Sequence, residues 1–325
     1  MCPSHDEIQK DEYLSRLNRV IDYIQNHYDE ELNLAKLADI ACFSKFHFHR
    51  LFRALVGETL NDFERRVRLE KSIQKLTREK SKSITQIALD CGFSSSQNFA
   101  KILKSQFDVT PSVFRNEYEW NNWKIKIENL RTKDKQRLDP FESFLYDIYR
   151  EKRQLPIHKL LNQWPVENVK IVDWPPFHVA YVRSIGPYKA QTIRPAYKKL
   201  LQWAAPRGLA NEKMIVLGVF WSNPDITPEN RLIHDACIIV PESVKADQWV
   251  NTQVLPGGKF AVHHCEIEAK DNDEAWMNFI INWLISSEYQ PDDRPTYQIH
   301  YNDPDTHPLK HLILDLCMPV KPLYE

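Results

Sequence analysis

Four apolar residues, Phe99, Ile102, Leu103 and Phe107, fall at i, i+3, i+4 and i+8, the spacing of one helical face. The opposite face of the same stretch carries Gln97, Lys101 and Lys104, and Ser94, Ser95 and Ser96 stand where they can cap its first turn. Upstream, Ile84 to Cys91 predicts a shorter helix capped by Ser83, with Gly92-Phe93 as the turn between the two. A short helix, a tight turn and a second helix make a helix-turn-helix unit. The pattern also occurs about fifty residues earlier. There Leu34 to Ala41 is the short helix, Cys42-Phe43 the turn and Ser44 to Val56 the second helix, with Phe48, Leu51, Phe52 and Val56 on its apolar face. Lys45, Phe46, His49, Arg50 and Arg53 form the other face of that helix.

Between the two units, Thr59 can cap a helix running to about Thr77, with Phe63, Val67, Leu69, Ile73 and Leu76 facing inward and Arg65, Arg66 and Lys75 expected outward. At 1.5 Å per residue such a connector spans about 30 Å, close to the roughly 34 Å of one DNA turn. A first helix is expected over Tyr13 to Tyr28 and a last short one from Pro111 to Tyr118. The pattern then changes. Trp120 to Ile127 reads as a short strand and Asp139 to Arg153 as an isolated helix, within a connector assigned to residues 120–167.

From Val169 the period becomes that of strands. Val169–Trp174 and Phe177–Val182, separated by Pro175-Pro176, are expected to pair as a hairpin. A helix through Ala196, Leu200 and Trp203 follows, then strands at Ile215–Trp221 and Ala236–Val240. A weak repeat comes next: a strand at Lys259–His264, a helix from Glu274 to Ile285, and strands at Thr296–Tyr301 and Leu312–Met318. The expected fold is therefore multidomain. An all-α domain of two helix-turn-helix units on a long helix (residues 1–119) precedes an α+β domain of two pseudo-symmetric β-α-β-β units around a cleft (residues 168–325).

Ala88-x-x-x-Gly92-Phe93, then Phe99, Phe107 and Thr110-Pro111-Ser112-Val113-Phe114-Arg115, resemble the DNA-binding domain of AraC/XylS transcription regulators of the MarA and Rob type. The resemblance covers about residues 14–118 and implies a DNA-reading helix in each unit. Cys42 stands where the family often has Gly, and the expectation is a turn that needs no positive φ. Ile185-Gly186-Pro187-Tyr188, Leu217-Gly218-Val219, Pro256-Gly257-Gly258-Lys259-Phe260 and Arg294-Pro295-Thr296-Tyr297-Gln298 resemble the GyrI-like effector-binding domain over about 168–320.

The formal net charge of −1 is not that of a DNA binder, but its distribution is. From Cys42 to Lys104 there are 13 Lys/Arg against six acids, an excess of +7 where phosphate would lie. Six scattered cysteines without a C-x-x-C pair, a polar acidic N-terminus and no long apolar run predict reduced thiols, a cytoplasmic and nucleoid-associated location and no membrane contact.

The DNA-contact candidates are Ser44, Lys45, Phe46, His49, Arg50 and Arg53 in the first unit and Ser95, Ser96, Gln97 and Lys101 in the second. Arg50 suits bidentate guanine contact and Phe46 a thymine methyl, while Ser44 and Ser95 suit phosphate at helix N-termini. Many relatives have Arg where Lys101 stands, and Lys lacks the bidentate fork. The effector candidates are Tyr188, Trp221, Trp276, Tyr297, Gln298 and His300. Family members often have a Glu at position 298 that pairs with cationic ligands, so Gln298 implies a neutral, hydrogen-bonding effector. His263-His264 would point to opposite faces of a strand and cannot hold one ion. No catalytic, cofactor or metal arrangement is read. A monomer on duplex DNA, RNA polymerase and a small molecule are the expected partners, activation the expected direction. The alternatives are a C-terminal half that acts as a protein-interaction module or, less favoured, as a small-molecule hydrolase; Asp315 or Glu266 in the cleft would revive the last.

Overall fold

The computed structural model describes residues 5–107, 109–117, 166, 169–222, 224, 227–247, 249–284 and 287–322. The strand and helix expected at 120–127 and 139–153 lie outside them. Seven helices come first: α1 (His5–Asn26), α2 (Leu34–Ile40), α3 (Lys45–Val56), α4 (Leu60–Arg78), α5 (Ile84–Asp90), α6 (Ser96–Phe107) and α7 (Pro111–Glu117). They start where capping chemistry is available. Asn33, Thr59, Ser83 and Ser95 accept hydrogen bonds from the backbone N–H of Ala35, Asp62, Gln86 and Asn98. The apolar face of α4 is buried as its spacing requires, from Phe63 to Leu76.

The two helix-turn-helix units close alike. Phe43 N–H donates to Ala38 O at 2.9 Å, and Phe93 N–H donates to Ala88 O at 3.0 Å; both alanines are fully buried. Both turns need a left-handed residue. Gly92 has φ +77° and Cys42 has φ +54°, so the expectation that Cys42 avoids positive φ is wrong. The turn geometry imposes the conformation, and the cysteine side chain tolerates it because it projects into solvent.

By packing, the chain divides into Met1–Ser112 with Pro176–Pro256, and Val113–Pro175 with Gly257–Glu325. In the first unit the strands β2 (Phe177–Ile185), β3 (Val216–Phe220), β4 (Ile233–Ile239) and β5 (Asn251–Leu255) form an antiparallel array in the order β3-β4-β2-β5. Helix α8 (Ala190–Ala204) covers one face through Ala180, Val182, Ala236 and Ile238. On the other face Ile185, Trp221 and Ile233 join the core of α1 to α4, built from Leu17, Ile21, Phe48, Phe52 and Phe63.

In the second unit β1 (Lys170–Trp174), β6 (Gly258–Glu268), β8 (Thr296–His300) and β9 (His311–Pro322) run antiparallel in the order β8-β9-β6-β1. A short β7 (Tyr289–Pro291) also pairs with β9. Helix α9 (Asn272–Asn278) and the π-turn Phe279–Leu284 pack on Ala261, Leu314, Leu316 and Met318. The order of equivalent strands is the same in both units, as an internal repeat requires. The expected β1–β2 hairpin does not form: β1 pairs with β6, and β2 with β4 and β5. Pro175-Pro176 explains why. The favoured two-residue hairpin turns need positive φ, which proline cannot adopt.

Candidate functional site

Helix α3 presents His49, Arg50 and Arg53 to solvent, and α6 presents Gln97, Lys101 and Lys104. Their opposite faces are anchored by Phe48 and Phe52 in α3 and by Phe99 and Leu103 in α6, all fully buried. The side chains of Lys45 and Phe46 lie outside the described part of α3. Ser95 Oγ caps its own helix by accepting from Asn98 N–H at 3.1 Å, and Ser94 Oγ accepts from Asn98 Nδ2 at 3.0 Å. Ser96 donates to Gln97 Oε1 at 3.4 Å. Ser44 occupies the N-cap of α3 with an exposed side chain that makes no capping bond.

Not all of the local positive charge is available to phosphate. Arg66, expected on the outer face of α4, is buried at 7% exposure. It binds Glu58 through Nη2 at 2.8 Å and Glu70 through Nη1 at 2.9 Å. A guanidinium between two carboxylates can be buried, whereas one facing apolar neighbours cannot. Arg68 donates to the carbonyls of Tyr28 and Glu30 and pairs with Glu64, and Lys82 is held by Asp90 and Glu79. The carboxylates beside Lys82 hold its ammonium pKa up. Among the described residues, the exposed cations of α3 and α6 are Arg50, Arg53, Lys101 and Lys104, while Arg65 of α4, also exposed, pairs with Asp62.

The effector candidates fall into two groups. In the first unit, the Tyr188 hydroxyl lies 2.9 Å from Ser222 O and 3.0 Å from Ile233 O, and it accepts from Ser222 N–H at 3.2 Å. Burial raises its pKa. Trp221 Nε1–H donates to Asp235 Oδ2 at 2.7 Å. In the second unit, strand pairing puts Gln298 opposite Leu316 and His300 opposite Leu314, so both lie on the face covered by α9. Gln298 is 4% exposed and donates to Asn272 Oδ1 at 2.6 Å. Trp276, one helical turn from Asn272 on α9, packs on the core of the same face. His300 is half-buried, and desolvation pushes its imidazole pKa down to about 4. Tyr297 points to the other face, where it is 1% exposed and meets the rings of Trp174 and Phe260.

The motif residues around these positions have structural work. Arg294 donates to Gly257 O and Lys259 O, pairs with Asp292, and lies over the Phe260 ring. A Cβ at Gly258 would lie 2.5 Å from the Arg294 guanidinium, which its own hydrogen bonds hold in place, and the backbone there has φ +113°, so a side chain at that position is strained.

Two carboxylates bear on the hydrolase alternative. Asp315 is clamped by His264 Nδ1 at 2.7 Å and by the Tyr301 hydroxyl at 2.6 Å. Glu266 is exposed, with Oε1 2.9 Å from His311 Nδ1 and 3.9 Å from His307 Nε2. That trio has metal-like proximity. However, His307 Nδ1 accepts the backbone N–H of Leu309 and of His311, both at 3.3 Å, which leaves the ring proton on Nε2. The trio is held by the His311–Glu266 hydrogen bond, with His307 at 3.9 Å from the same carboxylate oxygen. Its only signal in the sequence was the i, i+4 spacing of the two histidines.

Sequence reasoning missed a buried cluster in the first unit. Asp235, fully buried, accepts from Arg183 Nε at 2.7 Å and Nη2 at 2.6 Å, from Trp221 and from Gln253. Arg183 also pairs with Asp22 of α1 at 2.8 Å. Desolvation raises the Asp22 pKa, with Arg183 opposing it. No local pattern marks these residues, because their partners are far apart in the chain.

Comparison with known proteins gives two family matches: a helix-turn-helix domain over residues 37–117 and a GyrI-like small molecule binding domain over residues 167–321. The chain is 35% identical to the regulatory protein SoxS of Escherichia coli (strain K12) over 112 residues, 34% of this chain and 96% of SoxS. It is 35% identical to the transcriptional regulator Rob of Salmonella typhimurium (strain LT2) over 104 residues, 32% of this chain and about a third (36%) of Rob's length. Another relative, the DNA gyrase inhibitor of Escherichia fergusonii, is 26% identical over 128 residues, 38% of this chain and 81% of that protein.

Proposed function

The chain belongs to the AraC-type helix-turn-helix regulators and carries a GyrI-like domain, and from that footing we propose that it reads a specific promoter duplex with α3 and α6 under the control of a small molecule. The observation that carries this reading is the duplication itself. Two units with the same buried alanine, the same left-handed turn and the same buried phenylalanine each present a polar helix face outward. His49, Arg50 and Arg53 read one sub-site, and Gln97 and Lys101 the other, with Lys45, Phe46, Ser44, Ser95 and Ser96 at their edges. The 19-residue α4 sets the spacing, at about 28 Å of rise, so that a monomer engages successive major grooves. In this reading the functional domains are 1–119 and 168–325, joined by 120–167. The protein works in the cytoplasm, on the nucleoid, and delivers its signal to RNA polymerase as an activator.

For the effector, Trp276, Gln298 and His300 of the second unit supply a ring, an amide and a neutral imidazole on one face; in the first unit, Tyr188 and Trp221 offer ring faces of their own, with their polar tips already bonded. The three side chains of the second unit carry no negative charge, which suits a neutral aromatic ligand with hydrogen-bonding groups. One observation favours a second reading. Tyr188, Trp221 and Gln298 already spend their polar groups on the protein, as an interaction module without a natural ligand would.

The test is selection of duplexes from a random library by the full chain, followed by titration of Arg50→Ala and Lys101→Ala. Arg50→Ala is expected to cost about 1–3 kcal/mol and relax preference at one or two base pairs. A wild-type chain that enriches no sequence, or variants that bind undiminished, would refute the reading.

A further inference from the structure

Three groups of contacts tie the 176–256 segment to the helices that precede it. On β5, Asn251 exchanges hydrogen bonds with Ser15 of α1, at 3.0 and 3.3 Å. On β2, Tyr181 donates its hydroxyl to Asp22 of α1, and Arg183 bridges Asp22 to the buried Asp235. Near the start of β4, Arg231 Nη1 reaches Glu58 Oε2 at 3.1 Å, and Thr227 donates to Glu70 of α4.

The position of Glu58 matters most. Gly57 is the left-handed C-cap of α3, so Glu58 is the first residue beyond the cap of that helix. Its side chain is 1% exposed and is held from two sides, by Arg66 of α4 and by Arg231 of the GyrI-like segment. Fixing Glu58 fixes the exit of α3, and fixing Asp22 fixes the helix on which α3 packs through the shared core. These anchors lie in α1 (Ser15 and Asp22), at the junction between α3 and α4 (Glu58) and in α4 (Glu70), and none lies in α5 or α6. The face of the sheet that receives them is the one carrying Trp221, whose indole hydrogen-bonds the same Asp235 that holds Arg183.

We infer that this face of the first sheet is an intramolecular docking surface for the first helix-turn-helix unit, and that Asp22, Arg183, Asp235, Glu58 and Arg231 are positioning residues for α3 and not for α6. The inference rests on the proposed two-helix reading of DNA and adds how the C-terminal half enters it. Contacts made at Trp221 reach α1 through one carboxylate and one guanidinium. Changes at the effector half therefore alter the sub-site read by α3 and leave the sub-site read by α6 as it was.

The experiment is hydroxyl-radical footprinting of the full chain on a duplex selected by the wild type, with the α3 sub-site assigned as the positions whose protection is lost in Arg50→Ala. Asp22→Asn removes one charge while Arg183 keeps Asp235. Arg231→Met removes a half-exposed side chain while Glu58 keeps Arg66. Each variant is expected to weaken protection at the α3 sub-site by about threefold or more, with the α6 sub-site unchanged. A general loss of stability would lower both sub-sites together, and that result, or no change at either, overturns the inference. Circular dichroism and the thermal midpoint identify a variant that has failed to fold, and Tyr181→Phe, which deletes only the hydroxyl on Asp22, then takes its place. A wild type that protects neither sub-site would sink the DNA-reading proposal instead.

Discussion

The two turns make opposite demands on the same backbone conformation, and substituting them separates strain from crowding. At Gly92, a Cβ would lie 2.6 Å from Tyr28 O and 2.8 Å from Arg68 Nε. Those two atoms are themselves bonded at 2.7 Å, so neither can yield cheaply. Gly92→Ala therefore pays twice. The left-handed conformation costs about 1–2 kcal/mol for a residue with a Cβ, and the clash adds about 1–3 kcal/mol of overpacking. The stiffer unfolded chain returns about 0.5–1 kcal/mol. The net expectation is a loss of about 1–4 kcal/mol. At Cys42 the same conformation is already occupied by a residue with a Cβ, and the side chain is exposed. Cys42→Gly removes the strain at the cost of unfolded-state entropy and should gain about 0.5–1 kcal/mol, while Cys42→Ala should stay within about 0.5 kcal/mol of wild type. Urea unfolding followed by helical circular dichroism gives the ordering. A Gly92→Ala chain as stable as wild type, or Cys42→Gly less stable than Cys42→Ala, would refute the argument.

Other expectations follow from the second unit and the core. A thermal-shift screen of neutral aromatics and cationic dyes should give neutral hits on wild type, with cations gained only in Gln298→Glu; tight cation binding by wild type would show that another acid does the work. The His300 imidazole, held at about 4 against the ordinary 6.5, favours the neutral fold. Its contribution is complete above pH 6.5 and is lost as pH falls toward 4, an upper figure of about 3 kcal/mol before discounting for partial exposure. Acid unfolding of His300→Asn should accordingly lose that part of the pH slope, and an unchanged slope would exclude it. Phe99→Ala, which empties a fully buried site under α6, should cost about 3–5 kcal/mol by the same urea assay, and a loss below about 1 kcal/mol would place the ring outside the core.

The sequence by itself determined the helical half almost element by element. Its spacing, caps and turn residues are local, and two copies of one pattern check each other. It also determined the repeat of strand and helix in the second half, because alternation and helical period are properties of short windows. Only the tertiary structure decided what depends on distant partners. Pro175-Pro176 looked like a hairpin turn because two strands flank it, yet each strand pairs elsewhere. Arg66 looked like a DNA-facing cation until Glu58 and Glu70 closed around it. Cys42 took a left-handed conformation because the turn required it, whichever residue stood there. Asp22, Arg183 and Asp235 are spread over more than two hundred residues and carry no shared motif, so the ion cluster that joins the two halves of the first unit became visible only when the chain was folded. Local free-energy preferences are written in neighbouring residues; the cost of burying a charge is settled by whichever partner the fold brings to it.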